Sequence, residues 1–322
     1  MIINLEKKYF FYKLSKMVKN SKQKIIFKHG WIIKLTNEAK NKIGYGEISP
    51  LFQKDFAECQ FQLKKIQNKS REIELIKNIK ELHPCIQSGI NIALAELKNE
   101  ISFNERYEFE EIDQTAILLD SDSILKELKL LMSKNKLNKK SFTLKWKVAI
   151  KDNKCEEGVL ENILNQINNT TRLRIDANGS WNREIANRWA DILRYNKNID
   201  WLEQPLHEDD IEGLKELQKK IPVALDESLR KYPNLINDWH GWQIRRPSQE
   251  SNPIALLKEL QNKKGFRSIS TSFETGIGRR MLYHLASIQL KGPTPKVPGL
   301  ALNQTPKNFI FSNNVKTIWE KL

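Results

Sequence analysis

From Thr115 onward the apolar positions fall into a recurring alternation. Short apolar segments at Ala116–Leu119, Phe142–Ile150, Leu173–Ala177, Asp200–Gln204, Val223–Asp226, Trp242–Arg245 and Arg267–Ser272 have the length of buried strands. Between them lie amphipathic stretches with helical spacing, at Ser123–Met132, Glu157–Asn168, Arg183–Tyr195, Ile211–Lys219, Pro253–Asn262 and Gly278–Gln289. Strands alternating with helices at this spacing predict a parallel sheet, because each helix must cross back over the sheet to start the next strand in the same direction. Seven such units favour a closed barrel over an open sheet.

The first hundred residues follow another rhythm. Lys24–Thr36 reads as strand material with a turn at His29-Gly30, and Asn41–Pro50 as a glycine-punctuated loop closed by proline. Phe52–Ile66, Ile73–Leu82 and Ile86–Leu97, the last opened by Pro84, carry helical periodicity. Strands followed by helices make an α+β unit.

The chain has 322 residues, enough for a barrel of roughly 200–250 residues plus a smaller unit. Its formal net charge is +15, which raises the question of nucleic acid. Lysine is spread along the whole chain, however, and the densest run, Lys134 to Lys140, has no interleaved aromatics and reads as a solvated loop. No nucleic-acid partner is expected; a positive surface suits a small anionic substrate. Cys59, Cys85 and Cys155 are odd in number and lack CxxC spacing, which argues against disulfides or a zinc site. No signal-peptide pattern and no apolar run of membrane-spanning length occur, so a soluble cytoplasmic protein is expected.

The chemistry gathers at strand ends. Asp176 ends Leu173-Arg174-Ile175, Glu203 ends Asp200-Trp201-Leu202, and Asp226 with Glu227 ends Val223-Ala224-Leu225. In a parallel barrel these ends open on one face, the face that carries active sites. Converging carboxylates repel one another unless a cation lies between them. Hard oxygen donors suit Mg²⁺, with Mn²⁺ as the alternative. Any single acid at such a place is more often a cap or turn residue; the force lies in three successive units. In Lys145-Trp146-Lys147 the alternation of a strand puts both lysines on one side, so each lowers the other's affinity for a proton and one can serve as a base. An exposed edge strand is the bland alternative. Arg245 or Arg246 could reach the barrel mouth, and the hydroxyl-rich run Ser270-Thr271-Ser272 leads into a helix whose backbone N–H groups could hold a carboxylate. No HExxH, GxSxG or Walker A pattern is present.

As an ordered set these motifs resemble the enolase superfamily, and within it the o-succinylbenzoate synthases. Lys145-Trp146-Lys147 is similar to the family's lysine strand. Arg174-Ile175-Asp176-Ala177-Asn178, Trp201-Leu202-Glu203-Gln204-Pro205 and Leu225-Asp226-Glu227-Ser228 resemble its three metal-ligand strands. Gly44 to Leu51 resembles the capping loop, Pro84–Leu97 the helix that closes the cap, Ser270–Gly278 the seventh-strand loop, and Val297-Pro298-Gly299-Leu300 the return to the cap. The resemblance spans nearly the whole chain. It implies a modified TIM barrel, (β/α)7β, at 111–295 and an α+β capping domain at 1–110, completed by 296–322. It implies metal ligands Asp176, Glu203 and Asp226, a base at Lys147 assisted by Lys145, and substrate contacts at Ser270, Thr271, Ser272, Gly299 and Glu47. One departure stands out: the lysine that related barrels carry at the end of strand six is here Arg246. Arginine stays protonated and makes a poor base. The resemblance therefore points to a one-base dehydration forming o-succinylbenzoate, ahead of a two-base epimerisation, with Arg246 supplying positive charge. A muconate-type cycloisomerase, a dipeptide epimerase and a barrel that has lost activity are the other readings.

Overall fold

A computed structural model describes residues 1–103, 115–138 and 142–322. The chain divides into two compact units: Met1–Ser15, Ile26–Asp113 and Arg245–Leu322 form one, and Lys16–Ile25 with Gln114–Ile244 the other. The expected boundary at 110/111 and the Lys139-Lys140 end of the lysine-rich run lie outside the described residues.

The first unit begins with an antiparallel sheet of β1 (Ile2–Lys19), β2 (Lys24–Asn37), β3 (Lys42–Ile48) and β4 (Lys69–Arg71), in the order β3-β2-β1-β4, the end of β1 from Lys16 and the start of β2 to Ile25 being counted with the second unit. Its helices are α1 (Gln53–Leu63), α2 (Glu72–Ile79) and α3 (Pro84–Leu97). Two expectations are corrected here. The turn at His29-Gly30 is absent, because β2 runs through it unbroken. The loop at Asn41–Pro50 is mostly strand β3. In both cases glycine serves close approach rather than turning. A Cβ at Gly30 would stand 2.2 Å from the Ile48 carbonyl, and one at Gly46 would stand 1.9 Å from the Gly89 carbonyl on α3. β3 thus packs backbone against backbone on α3, around a core of Ile33, Leu35, Ile48, Leu63, Ile86, Ile90 and Leu97. Proline at the first turn of α3 costs no hydrogen bond, and the His83 side chain caps the turn by accepting from Cys85 N.

The second unit carries six parallel strands: β5 (Ile117–Leu118), β6 (Thr143–Lys147), β7 (Arg172–Asp176), β8 (Ile199–Glu203), β9 (Val223–Leu225) and β10 (Trp242–Arg245, its last residue counted with the first unit). They lie side by side in chain order. The connecting helices are α4 (Ile124–Asn138), α5 (Asn153–Gln166), α6 (Arg183–Leu193), α7 (Ile211–Gln218), α8 (Glu227–Lys231) and α9 (Leu235–Asp238). α4 extends through Asn138, so the backbone of Lys134–Asn138 is helical rather than the expected loop. The alternation of strand side chains sorts this sheet into two faces. Leu144, Trp146, Leu173, Ile175, Leu202, Val223 and Leu225 join the core that holds the helices. Lys145, Lys147, Arg174, Asp176, Trp201, Glu203 and Ala224 occupy the alternate positions. Asn182 and Asp210 start α6 and α7 by accepting backbone N–H bonds.

The first unit resumes with α10 (Pro253–Gln261), β11 (Arg267–Ile269), α11 (Gly276–Leu290) and α12 (Val315–Lys321). Just beyond β11, Ser270 N donates to Arg245 O at 2.9 Å. The architecture is mixed α/β, parallel strands alternating with helices beside an antiparallel sheet with its own helices, the class that the sequence pattern implied. Among the described residues no helix is long and apolar enough to cross a membrane.

Candidate active site

At the carboxyl ends of β6, β7 and β8 the parallel register sets Lys147 beside Asp176 and Asp176 beside Glu203. Their side chains meet as this pairing requires. Lys145 Nζ donates to Asp176 Oδ2 at 2.9 Å and to Glu203 Oε1 at 2.5 Å. Lys147 Nζ donates to the same Asp176 oxygen at 2.9 Å and to Asn178 Oδ1 at 3.1 Å. Asp176 and Glu203 are buried, and the two lysines nearly so. An ion cluster this dry persists only because each charge has a partner of opposite sign.

The electrostatics divide the acids. Burial alone would raise the Asp176 carboxyl, but the two ammonium groups outweigh it and hold it well below the usual carboxylate range. Burial and the negative neighbours Asp176 and Asp226 lift Glu203 to about 7, against the pull of Lys145. Glu227 is lifted to about 7 by burial and by Asp226 and Asp176. Its Oε2 is buried without a hydrogen-bond partner, while Asn178 Nδ2 donates to Oε1 at 3.1 Å. Asp226 sits at the start of α8, its backbone N–H held by Gln204 Oε1 at 3.1 Å. Asp176, Glu203, Asp226 and Glu227 thus gather four carboxyl groups around Lys145 and Lys147. The orphaned Glu227 oxygen and the all-oxygen donor set fit a hard dication.

The backbone here is strained. Ala149, Asn178 and Gln204, each one or two residues beyond a strand end of the cluster, have φ of 58°, 49° and 37°. Non-glycine residues in that region cost on the order of 1–3 kcal/mol each and gather at functional sites. Gln204 offsets its share: it accepts from Asp226 N and Ser228 N and donates to Ser228 Oγ at 2.7 Å. Asn178 and Glu227 are the residues that sequence reasoning passed over. Asn178 reads as turn chemistry in Asp176-Ala177-Asn178-Gly179, and Glu227 stands in the shadow of Asp226. The i, i+2 relation of Asn178 to Asp176 was the available signal for the former.

The remaining candidates belong to the other unit. Glu47 is buried on β3, and its carboxylate accepts from Thr275 N, Thr275 Oγ1 and Gly278 N at the start of α11. Ser272 N donates to both oxygens of Glu274 at 3.0 Å, and Thr271 Oγ1 donates to Glu274 at 2.6 Å. These N–H groups are thus held by the chain's own carboxylates. Ser272 Oγ is buried without a partner. Ser270 Oγ lies 3.4 Å from Gly299 O, and Thr271 N donates to the same carbonyl at 2.9 Å. The Arg246 guanidinium donates to Thr271 O. Arg245 is buried and paired with Glu250 and Glu259 at 2.6 and 3.0 Å, so its role is internal ion pairing.

Residues 135–236 match the family model described as Enolase C-terminal domain-like. The chain is 27% identical over 275 residues to the o-succinylbenzoate synthase of Thermosynechococcus vestitus, covering 80% of each. A crystal structure of o-succinylbenzoate synthase from Thermosynechococcus elongatus BP-1, complexed with Mg in the active site, superposes with a TM-score of 0.77 at 23% identity, covering 99% of this chain and 100% of that one. The fold is that of the enolase superfamily. The dipeptide epimerase of Enterococcus faecalis V583, complexed with Mg and L-Leu-L-Tyr, is also similar, with a TM-score of 0.72 at 21% identity over 94% of this chain and 91% of that one. The enolase-superfamily resemblance carried by the lysine strand and the three acid strands is therefore borne out.

Proposed function

We propose that the chain is a divalent-metal-dependent o-succinylbenzoate synthase of the cytoplasm, acting in menaquinone or phylloquinone synthesis. The reaction is the syn dehydration of 2-succinyl-6-hydroxy-2,4-cyclohexadiene-1-carboxylate to 2-succinylbenzoate. The observation that carries this reading is the pair Lys145 and Lys147 locked onto Asp176 and Glu203. The sequence similarity to o-succinylbenzoate synthases over four-fifths of the chain supports the choice of substrate. We assign the catalytic barrel to residues 111–295 and the cap to 1–110 with 296–322.

Asp176, Glu203 and Asp226 would hold Mg²⁺, with Mn²⁺ as a substitute. Such an ion, when bound, supplies a Lewis acid for a substrate carboxylate. Lys147 takes the proton from the carbon beside that carboxylate. It then returns a proton to the departing hydroxyl, so that water leaves and the ring becomes aromatic. One group on one face suffices for both transfers, which gives a syn course. Asn178, 3.1 Å from Lys147 Nζ, holds the amine in place. Lys145 spans Asp176 and Glu203 and keeps both carboxylates oriented. The low-dielectric setting strengthens each of these interactions over its value in water. Arg246 cannot act as a second base, which disfavours epimerisation.

The test is turnover of the cyclohexadiene precursor, followed by the absorbance of the aromatic product, with Mg²⁺ and after chelation. Turnover that disappears with chelator and returns with Mg²⁺ is expected; absence of turnover under both conditions overturns the assignment. The epimerase reading draws on a 66-residue match, 41% identical, to a hydrophobic dipeptide epimerase of a Flavobacteria bacterium. It predicts incorporation of solvent deuterium at the α-carbon of a dipeptide.

A further inference from the structure

Two of the three cysteines, which the sequence scatters, are brought together in the first unit. Cys59 lies on α1 and Cys85 on the first turn of α3, both with no solvent exposure, and His83 is the residue that caps α3. The sulfur of each cysteine and one donor atom of His83 lie within 4.8 Å of one another. His83 Nδ1 is 3.4 Å from Cys59 Sγ and 3.3 Å from Cys85 N. On its other side, His83 Nε2 is 3.6 Å from Asp55 Oδ1.

We propose that Cys59, Cys85 and His83 form a structural Zn²⁺ site that ties α1 to α3, separate from the carboxylate cluster. The donor chemistry selects the metal: two thiols and an imidazole are soft to borderline ligands that favour zinc over magnesium. The spacing agrees. With Zn–S of about 2.3 Å and Zn–N of about 2.0–2.1 Å, tetrahedral geometry separates a sulfur and a nitrogen ligand by about 3.6 Å. The Cys59–His83 pair already stands near that separation. Asp55 stands behind His83, in the place of the carboxylate that orients and strengthens many metal-bound imidazoles.

Thiols bind zinc as thiolates, so binding releases protons. The Cys85 N–H, which now points at Nδ1, passes to a thiolate sulfur. His83 is the only ligand of the three that reaches solvent, its side chain 13% exposed, and it marks the entry path.

The experiment uses the full chain, reduced and freed of metal, with excess Mg²⁺ present to occupy the carboxylates. Co²⁺ is then titrated as the spectroscopic probe, followed by Zn²⁺. One equivalent of Co²⁺ is expected to give thiolate-to-cobalt charge-transfer absorption, and one equivalent of Zn²⁺ to bleach it. Cys59→Ala and Cys85→Ala are expected to lose at least tenfold in Co²⁺ affinity, whereas Cys155→Ala, at an exposed cysteine, keeps the wild-type spectrum. The wild-type titration needs no variant to fold, so it decides on its own: absence of the charge-transfer band overturns the proposal. So does a band that Cys155→Ala removes. Mass spectrometry showing a Cys59–Cys85 disulfide in the freshly isolated protein, with no zinc, overturns it in favour of a redox pair.

Discussion

Replacing Lys147 by alanine separates its chemical role from its structural one. Lys147 Nζ contributes one of two ammonium contacts to Asp176 Oδ2. Breaking a buried ion pair typically costs about 3–5 kcal/mol when the surviving charge is left alone. Asp176 is not left alone: Lys145 Nζ stays 2.9 Å from the same oxygen, and Asn178 N donates to the other oxygen at 3.0 Å. The stability cost should therefore fall to about 1–2 kcal/mol, within the ordinary range for one substitution. The catalytic cost is of another order. A positioned acid–base group contributes about 10²–10⁴ in rate, or roughly 3–5 kcal/mol of barrier. Because one lysine serves both proton transfers in the proposed reaction, the loss should reach the upper end. The assay is kcat on the cyclohexadiene precursor with saturating Mg²⁺, alongside a urea unfolding curve. A folded variant at least a thousandfold slower is expected. Turnover within tenfold of wild type would refute the assignment of the base. Lys147→Arg, which keeps the charge and loses the base, should be equally slow.

Three further outcomes follow from the structure. Lys28 is buried, donates to Ser49 O and Pro50 O, and is lowered to about 8 by burial, against the pull of Glu274 and Glu47. Its folded pKa lies below the unfolded value of about 10.5. The unfolded chain therefore holds more protons between those two values, and stability rises with pH across the window, by up to about 3 kcal/mol. Urea curves from pH 7.5 to 10.5 should show this rise in wild type relative to Lys28→Met; parallel profiles for the two proteins would remove the explanation. Gly46→Ala puts a methyl 1.9 Å from the Gly89 carbonyl and should cost about 3 kcal/mol or more, measured by chemical unfolding. Gly158→Ala, in the middle of α5 with open space around its Cβ position, should instead stabilise by about 0.5–1 kcal/mol, and a loss there would contradict the helix geometry.

The cation cluster was legible in the sequence because its information is local. Strand periodicity alone places Lys145 with Lys147, and sets Asp176 apart from the apolar Ile175. Order along the chain equals order across a parallel sheet, so acids at successive strand ends become neighbours without any long-range information. The antiparallel sheet was harder to read. Its first strand, Ile2–Lys19, carries apolar residues broken by lysines, and glycines at Gly30 and Gly46 looked like turns. Only the packing of β3 on α3 shows that those glycines make room for a neighbouring backbone.

The sequence by itself determined the α/β repeat, the strand ends that carry charge and the faces on which Lys145, Lys147, Asp176 and Glu203 stand. Those features depend on periods of two and of 3.6 residues, which any short window of chain contains. The tertiary structure alone decided that two ammonium groups share one oxygen of Asp176, that Glu203 and Glu227 rise to about 7, and that Cys59 meets Cys85 and His83. Those facts depend on distances between segments far apart in sequence and on the water that packing removes. Neither is written in any local pattern.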